Sequence, residues 1–325
     1  MTSLQPIICV LGSLNIDLVY YIPHHPLAGE TLTAIRSNVF PGGKGANQAV
    51  ACAKLSRTRS QRDASVAVMM IGAVGADAHG MTLLNSLGSY GVDVSKVTRS
   101  EADSEHSSTG SAIVMVEEHS GQNRIIFSPG ANASLRPSRF VESFSPAPAL
   151  LVMQLEIPME TVSQALRTAK AANIPVLLNP APAVELPEEA YAGLAHLILN
   201  ETEIALLTQV SEAELEDLSM VKKAAASLLA KGVQNLVVTL GARGAYYACE
   251  DGQRGFVPAL EVEVVDTTAA GDSFIGMYSV LVVEAASRSR TFDIEAAVRS
   301  SIVASSITVS RNGAQVSIPW KDELQ

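Results

Sequence analysis

The chain has 325 residues, 47% apolar and 17% charged, enough to bury the core of one large α/β domain or two ordinary ones and far from disordered composition. A formal net charge of −10 argues against a nucleic-acid surface, which needs clustered Lys and Arg, but leaves room for one nucleotide in a local positive pocket. Cys9, Cys52 and Cys249 form neither a CxxC metal pattern nor a disulfide framework, no basic-then-apolar leader is visible, and no apolar run is long enough for a bilayer; a cytoplasmic protein without nucleic-acid or membrane partners is expected.

Residues 7–12 open the chain as a branched, strand-length apolar run, followed by Gly12-Ser13-Leu14-Asn15-Ile16-Asp17. Side chains alternate along an extended segment, so Asn15 and Asp17 share one side and can grip vicinal hydroxyls; Asn and Asp after a strand are also ordinary turn formers. Residues 18–39 alternate apolar and polar positions, as antiparallel strands with one free face do. Phe40-Pro41-Gly42-Gly43-Lys44-Gly45-Ala46-Asn47-Gln48-Ala49 lacks Walker A spacing, yet its paired glycines allow close backbone approach, and Lys44 and Asn47 add donors. A Gly-rich turn before a helix would look the same. Residues 56–65 are basic, polar and aperiodic, a loop insertion of no assigned function. After a strand at 66–71, Gly72–Asp77 fails the GxGxxG spacing of a dinucleotide loop.

Residues 108–128 alternate again, and with 18–39 predict a small β-sheet lid. Further buried strands are expected at 149–154, 176–178, 197–199 and 236–239, with amphipathic helical stretches at 159–172 and 219–231 between them. Strands joined by helical crossovers imply an α/β fold: a doubly wound, mostly parallel central sheet flanked by helices, formed by 1–17, 40–107 and 129–325. Ligands of such sheets sit outside the carboxyl ends of the strands. There lie Asn200-Glu201-Thr202-Glu203, where Glu203 can orient a hydrated Mg²⁺ or belong to a helix cap, and Thr239-Leu240-Gly241-Ala242-Arg243-Gly244, a glycine approach to phosphate or ribose or a plain turn. Finally, Asp266-Thr267-Thr268-Ala269-Ala270-Gly271-Asp272 precedes an apolar helical stretch. Its small residues can bare helix N-terminal N–H groups to an anion, with Asp272 in reach of a group attacking a phosphate or, alternatively, capping the helix. The six histidines show neither zinc spacing nor a triad partner.

Together these motifs resemble the ribokinase family of sugar kinases, the phosphofructokinase-B superfamily, from Ile7 to Trp320; the run Gly42–Ala49 looks like its first signature and residues 266–274 like its second. The resemblance implies transfer of the γ-phosphoryl of MgATP to a sugar hydroxyl, expected to be O5 of D-ribose, with Asp272 as general base and Ala269, Ala270 and Gly271 at the anion hole. It implies sugar contacts from Asn15, Asp17, Gly43, Lys44, Asn47 and Glu156. Nucleotide contacts would come from Asn200, Thr239, Gly241, Gly244 and Gly271, with Glu203 holding Mg²⁺ through water. It also implies an activating K⁺ beside the hole, with Asp266, Thr268, Thr308, Arg311, Gly313 and Ser317 matching its ligands, several through carbonyls, and a homodimer through the lid. Ala269 stands where many members have Gly, and Ile302 where relatives place a polar residue near adenine. Two other readings are kept: a kinase of a nucleoside, fructose or a ketosugar acid, and a sugar- or nucleotide-binding regulator without catalysis.

Overall fold

The computed structural model describes residues 5–60, 64–101 and 106–324. Residues 61–63 of the 56–65 stretch, and 1–4, 102–105 and 325 of the expected core segments, lie outside them. In chain order the strands are β1 Ile7–Leu11, β2 Asn15–Ile22, β3 Arg36–Gly42, β4 Ala67–Val74, β5 Asp93–Arg99, β6 Gly110–Glu117, β7 Asn123–Ser128, β8 Leu150–Met153, β9 Val176–Leu178, β10 His196–Asn200, β11 Asn235–Thr239, β12 Gly244–Cys249 and β13 Arg254–Pro258. The helices are α1 Lys44–Leu55, α2 Ala78–Ser89, α3 Met159–Ala171, α4 Glu201–Thr208, α5 Leu218–Leu229, α6 Ala270–Ser287 and α7 Ile294–Val309.

Nine strands form one sheet in the order β13-β12-β11-β10-β9-β8-β1-β4-β5, parallel from β11 to β5 and antiparallel at the β11–β12 and β12–β13 pairings. The continuous apolar runs follow from burial on both faces. In β1, Ile8 and Val10 join one core cluster and Cys9 and Leu11 the other; β8 and β10 divide their residues in the same way. One cluster lies under α1, α2, α6 and α7 and the other under α3, α4 and α5, so the sheet is covered on both sides, as a doubly wound fold requires. Burial of side chains on this scale contributes roughly 1.5–3 kcal/mol for each large apolar residue.

Two helices are packed unusually close. A Cβ on Gly276 of α6 would stand 2.3 Å from the Ala51 Cβ of α1. The small residues of α1, Gly45, Ala46, Ala49, Ala51 and Ala53, are all buried. This packing sets the start of α1 against the start of α6, where the site forms.

The second sheet has four strands in the order β3-β2-β6-β7. Its outer pairings are antiparallel, as the alternation suggests, but its central pair, β2 with β6, is parallel. The two-residue period reports a half-covered strand and says nothing of a neighbour's direction. Asn15 and Gly110 are register partners at the base of this pair, so both strands run the same way. The sheet also takes in residues 15–17 and 40–42, which the sequence reading places in the core.

Candidate active site

Gly43, at φ 88°, turns the chain into α1, and a Cβ there would meet Asn15 N at 2.7 Å. Gly45 is pressed harder still, since a Cβ would stand 2.6 Å from Gly12 C and Ser13 N. The start of α1 thus rests on the turn between β1 and β2, with Ala46 N donating to Ser13 O at 2.9 Å. Glu156, beyond β8, gathers these segments. Its Oε2 accepts from Ser13 Oγ at 2.5 Å, Lys44 N at 3.1 Å and Asn15 Nδ2 at 3.3 Å. Asn15 is held from behind by the buried Asn132, whose Nδ2 donates to Asn15 Oδ1 at 2.7 Å.

Asp272 is the third residue of α6, and no side chain caps that helix. Its carboxylate accepts instead from two neighbours on α1, Oδ1 from Gln48 Nε2 at 3.0 Å and Oδ2 from Asn47 Nδ2 at 3.2 Å. The capping alternative is therefore excluded by geometry. Burial pushes the Asp272 carboxyl up; the Lys44 charge and the two amides pull it back without cancelling the rise. A carboxyl so raised is moved toward the range of a working general base. Ala269 precedes it at φ 62°, a left-handed conformation costing a non-glycine residue about 1 kcal/mol. That turn presents the opening N–H groups of α6, which have no intrahelical acceptors, although Ala270 N donates back to Thr267 O at 3.3 Å; the space beside Gly271 is open.

Two cavities meet at this point. The larger, about 1130 Å³, lies beneath the small sheet and is lined by Asn15, Asp17, Gly43, Lys44, Asn47, Glu156 and Asp272, with Val19, Tyr21, Val114 and Ile125 as its apolar roof. The smaller, about 230 Å³, is lined by Asn179, Asn200, Glu203, Thr239, Ala270 and Gly271. Lys44, Thr267, Ala269 and Asp272 line both. A reacting atom at their junction is open to ligands from either side, with Lys44 and a helix N-terminus supplying positive potential.

Asp17 is half-buried in the larger cavity. Burial, with the like charges of Glu156 and Asp272 beside it, pushes its carboxyl up to about 7. A carboxyl raised on folding adds stability at pH below its unfolded value near 3.8, and that stability is lost as pH rises through about 7. Asp17→Asn should therefore flatten the pH dependence of ligand-free stability across that window. It should leave stability near pH 3.5 almost unchanged and raise it by about 1–2 kcal/mol at pH 8 after allowance for solvent screening. Urea titrations of both proteins at the two pH values read the difference.

Beside the larger cavity, Asp266 joins two loops: Oδ1 accepts from Thr268 N at 2.9 Å and Oδ2 from Gly313 N at 2.9 Å. Burial alone would raise its carboxyl, but these bonds hold it below the usual carboxylate range. The other expected cation ligands have committed side chains. Thr308 Oγ1 bonds to Ser273 Oγ and Ala304 O, Arg311 pairs with Glu323 at 3.1 Å, and Ser317 Oγ donates to Ala314 O at 2.7 Å. On the opposite side, Asn200 and Glu203 do form a capping box: Glu203 N donates to Asn200 Oδ1, and Asn200 N to Glu203 Oε2, both at 2.9 Å. Glu203 nonetheless faces the smaller cavity, and burial raises its carboxyl against the pull of the Asn200 bond and Lys44.

Of the expected nucleotide glycines, Gly271 lines the smaller cavity but two others stand apart. Gly241 and Gly244 line neither cavity, and a Cβ on Gly244 would strike Val257 O at 2.1 Å, so its bareness serves the β12–β13 pairing. Ile302 lies on α7 with its side chain buried in the core. Conversely, Gln48, Asn179, Gln154 and Asn132 were given no role by the sequence reading. Gln48 was within reach of it, lying beside Asn47 in the same glycine-rich motif. Asn179 links the cavities, accepting from Gln48 Nε2 at 3.2 Å and donating to Glu203 Oε2 at 3.4 Å.

A family described as pfkB family carbohydrate kinase matches residues 5–321. The ribokinase of Schizosaccharomyces pombe is 40% identical over 318 residues, covering 96% of this chain and 94% of that protein. The deoxyribokinase of Salmonella typhi is 36% identical over 316 residues, covering 96% and 95%. The structure of Arabidopsis thaliana ribokinase complexed with ribose and ATP is similar with a TM-score of 0.85 at 29% identity, covering 99% of this chain and 98% of that one.

Proposed function

The chain belongs to the pfkB family of carbohydrate kinases, and from that premise we propose that it transfers the γ-phosphoryl group of ATP to O5 of D-ribose, giving D-ribose 5-phosphate and ADP. The observation that carries this reading is the junction of the two cavities at Asp272, with Asn15, Asp17, Lys44, Asn47 and Glu156 on the larger side. Those polar groups suit the hydroxyls of a small sugar, and Glu156 Oε1 is left for one of them because Oε2 already takes the three donors. Asp272 withdraws the proton of the attacking hydroxyl as its oxygen bonds to phosphorus and the bond to the ADP oxygen breaks. The N–H groups opening α6, around Ala269, Ala270 and Gly271, take the charge that develops on the phosphoryl oxygens. The small sheet acts as a lid that keeps water from competing with the sugar.

When bound, Mg²⁺ would be held through water by Glu203 and K⁺ beside Asp266, and the two would neutralise phosphate charge. The chemistry of Asp266 suits the second ion, since its bonds to the Thr268 and Gly313 amides keep it ionised, and backbone carbonyls of 308–317 would supply further oxygens. Tyr20, Val39 and Ile126 leave apolar surface exposed on the small sheet, which supports a homodimer through it. The described residues contain no helix long and apolar enough to cross a membrane.

Coupled ADP detection with ribose, 2-deoxyribose, fructose and adenosine tests the assignment. Ribose should be the preferred acceptor, chelation of Mg²⁺ should abolish turnover, and withdrawal of K⁺ should lower it severalfold. Turnover on adenosine but not ribose overturns the substrate, and ribose binding without ADP formation favours the regulator.

A further inference from the structure

Behind this site lies a set of buried side-chain amides, of which Asn47 and Asn179 line the cavities and Gln48, Gln154 and Gln315 do not. An amide presents a donor at one end and an acceptor at the other, whereas an ionised carboxylate only accepts. Asn47 and Gln48 support Asp272 only while both turn their NH2 groups toward it. Either one reversed would set a carbonyl oxygen against the carboxylate. Each is fixed in the required sense by a further amide: Gln154 Nε2 donates to Gln48 Oε1 at 2.5 Å, and Gln315 Nε2 donates to Asn47 Oδ1 at 3.2 Å.

We propose that Gln154 and Gln315 are positioning residues for the phosphoryl-transfer base, acting through the two amides that hold it. This rests on the reading of Asp272 as that base. Neither residue lines either cavity, so neither meets a substrate. Gln154 is fully buried and its Oε1 has no hydrogen-bond partner among the described residues. A buried polar atom left unpaired is unfavourable, and an apolar side chain of the same length would avoid it. Packing alone therefore does not account for a glutamine here, and its donor to Gln48 does. Gly12 leaves room for that orphan oxygen, which would lie 2.0 Å from a Cβ at that position.

Gln315 is pinned on its other sides as well. Its Oε1 accepts from Ser86 Oγ at 3.0 Å, and its carbonyl accepts from the buried Lys54 Nζ at 3.1 Å. It sits two residues past Gly313, so the loop that Asp266 grips also bears on the base through Asn47. Gln48, for its part, shares its NH2 between Asp272 and Asn179, and Asn179 reaches Glu203. One amide set thus aligns both the acceptor side and the nucleotide side. The charged groups facing Asp272 are Lys44 from α1, Asp17 from β2, Glu156 after β8 and Glu203 from α4, and none is altered by changing Gln154 or Gln315.

The test compares Gln154→Met and Gln315→Met with the unmodified chain. Both variants should lose roughly tenfold or more in kcat, with KM for ribose and ATP within about twofold, because an unaligned base fails in the transition state and not in binding. The acid limb of the rate profile should move to higher pH, since the ionised carboxylate loses donors. The unfolding temperature of Gln154→Met should be unchanged or higher. An unchanged kcat and acid limb overturn the proposal, whatever the unfolding temperature does. If Gln154→Met does not fold, Gln315→Met decides by the same criteria. A carbon-detected NMR titration of the Asp272 carboxyl separates this inference from the assigned activity: its apparent pKa should rise in the variants, and an unchanged value overturns the proposal even if the unmodified chain shows no turnover with ribose.

Discussion

In the Asp272→Asn protein, ribose-dependent ADP formation should fall by about 10²–10⁴-fold while ribose binding stays within a few-fold of normal. The loss falls on kcat because the proton leaves the hydroxyl only as phosphorus is attacked. Asparagine keeps the shape of the residue but accepts from only one of Asn47 and Gln48, whose donors lie 3.2 and 3.0 Å from the carboxylate oxygens. That lost bond costs about 1 kcal/mol, and removal of a buried charge offsets it, so the fold should survive. Equilibrium ribose binding by calorimetry, beside the coupled assay, separates the two effects. A normal turnover rate would remove Asp272 from the chemistry.

Glu156→Ala should act at the other stage of the reaction. KM for ribose should rise by about 100-fold or more with a smaller change in kcat, the pattern for loss of a group that binds ground and transition states alike. Truncation also leaves the Ser13 hydroxyl, the Asn15 amide and the Lys44 N–H without their shared acceptor. Each orphaned buried donor costs about 1–3 kcal/mol where water does not replace the partner. A lower unfolding temperature is therefore expected with the kinetic change, and added ribose should recover less of it than in the unmodified protein. Glu156→Gln, which restores one acceptor, should lie between the two. A fall in unfolding temperature with KM unchanged would assign Glu156 to scaffolding alone.

The core was legible because burial on both faces leaves unbroken apolar runs, and six strands were read from them with ends shifted by a few residues at most. The edge strands β5 and β13 and the penultimate strand β12 are less legible. β5 reads DVSKVTR and β13 RGFVP, each with most of its residues exposed, while β12, although buried throughout, is a short GAYYAC run that follows a glycine-rich turn. Asn15, Lys44, Asn47, Glu156 and Asp272 were singled out by motif, and the structure gathers them around one cavity. The partners of Asp272 were harder to read. Gln48 and Asp272 are 224 positions apart, and only the close α1–α6 packing makes them neighbours. Gly244 is ambiguous for another reason, for a glycine after a strand reads alike whether it admits a ligand or another strand's carbonyl.

Parallel pairing of β2 with β6 also fixes an order of events during synthesis. β2 and β3 leave the ribosome together, but a two-stranded hairpin alone is marginal in water. Its central neighbour, residues 110–117, arrives only after β4, α2 and β5 have been made. Loop closure over that separation is slow, so β2 settles late in the assembly of the first half of the chain. Asn15 and Asp17, the first and third residues of β2, acquire their final places with it. In hydrogen exchange, the amides of β2 and β6 should open as one unit at lower free energy than those of β1 and β8, and ribose should slow that opening.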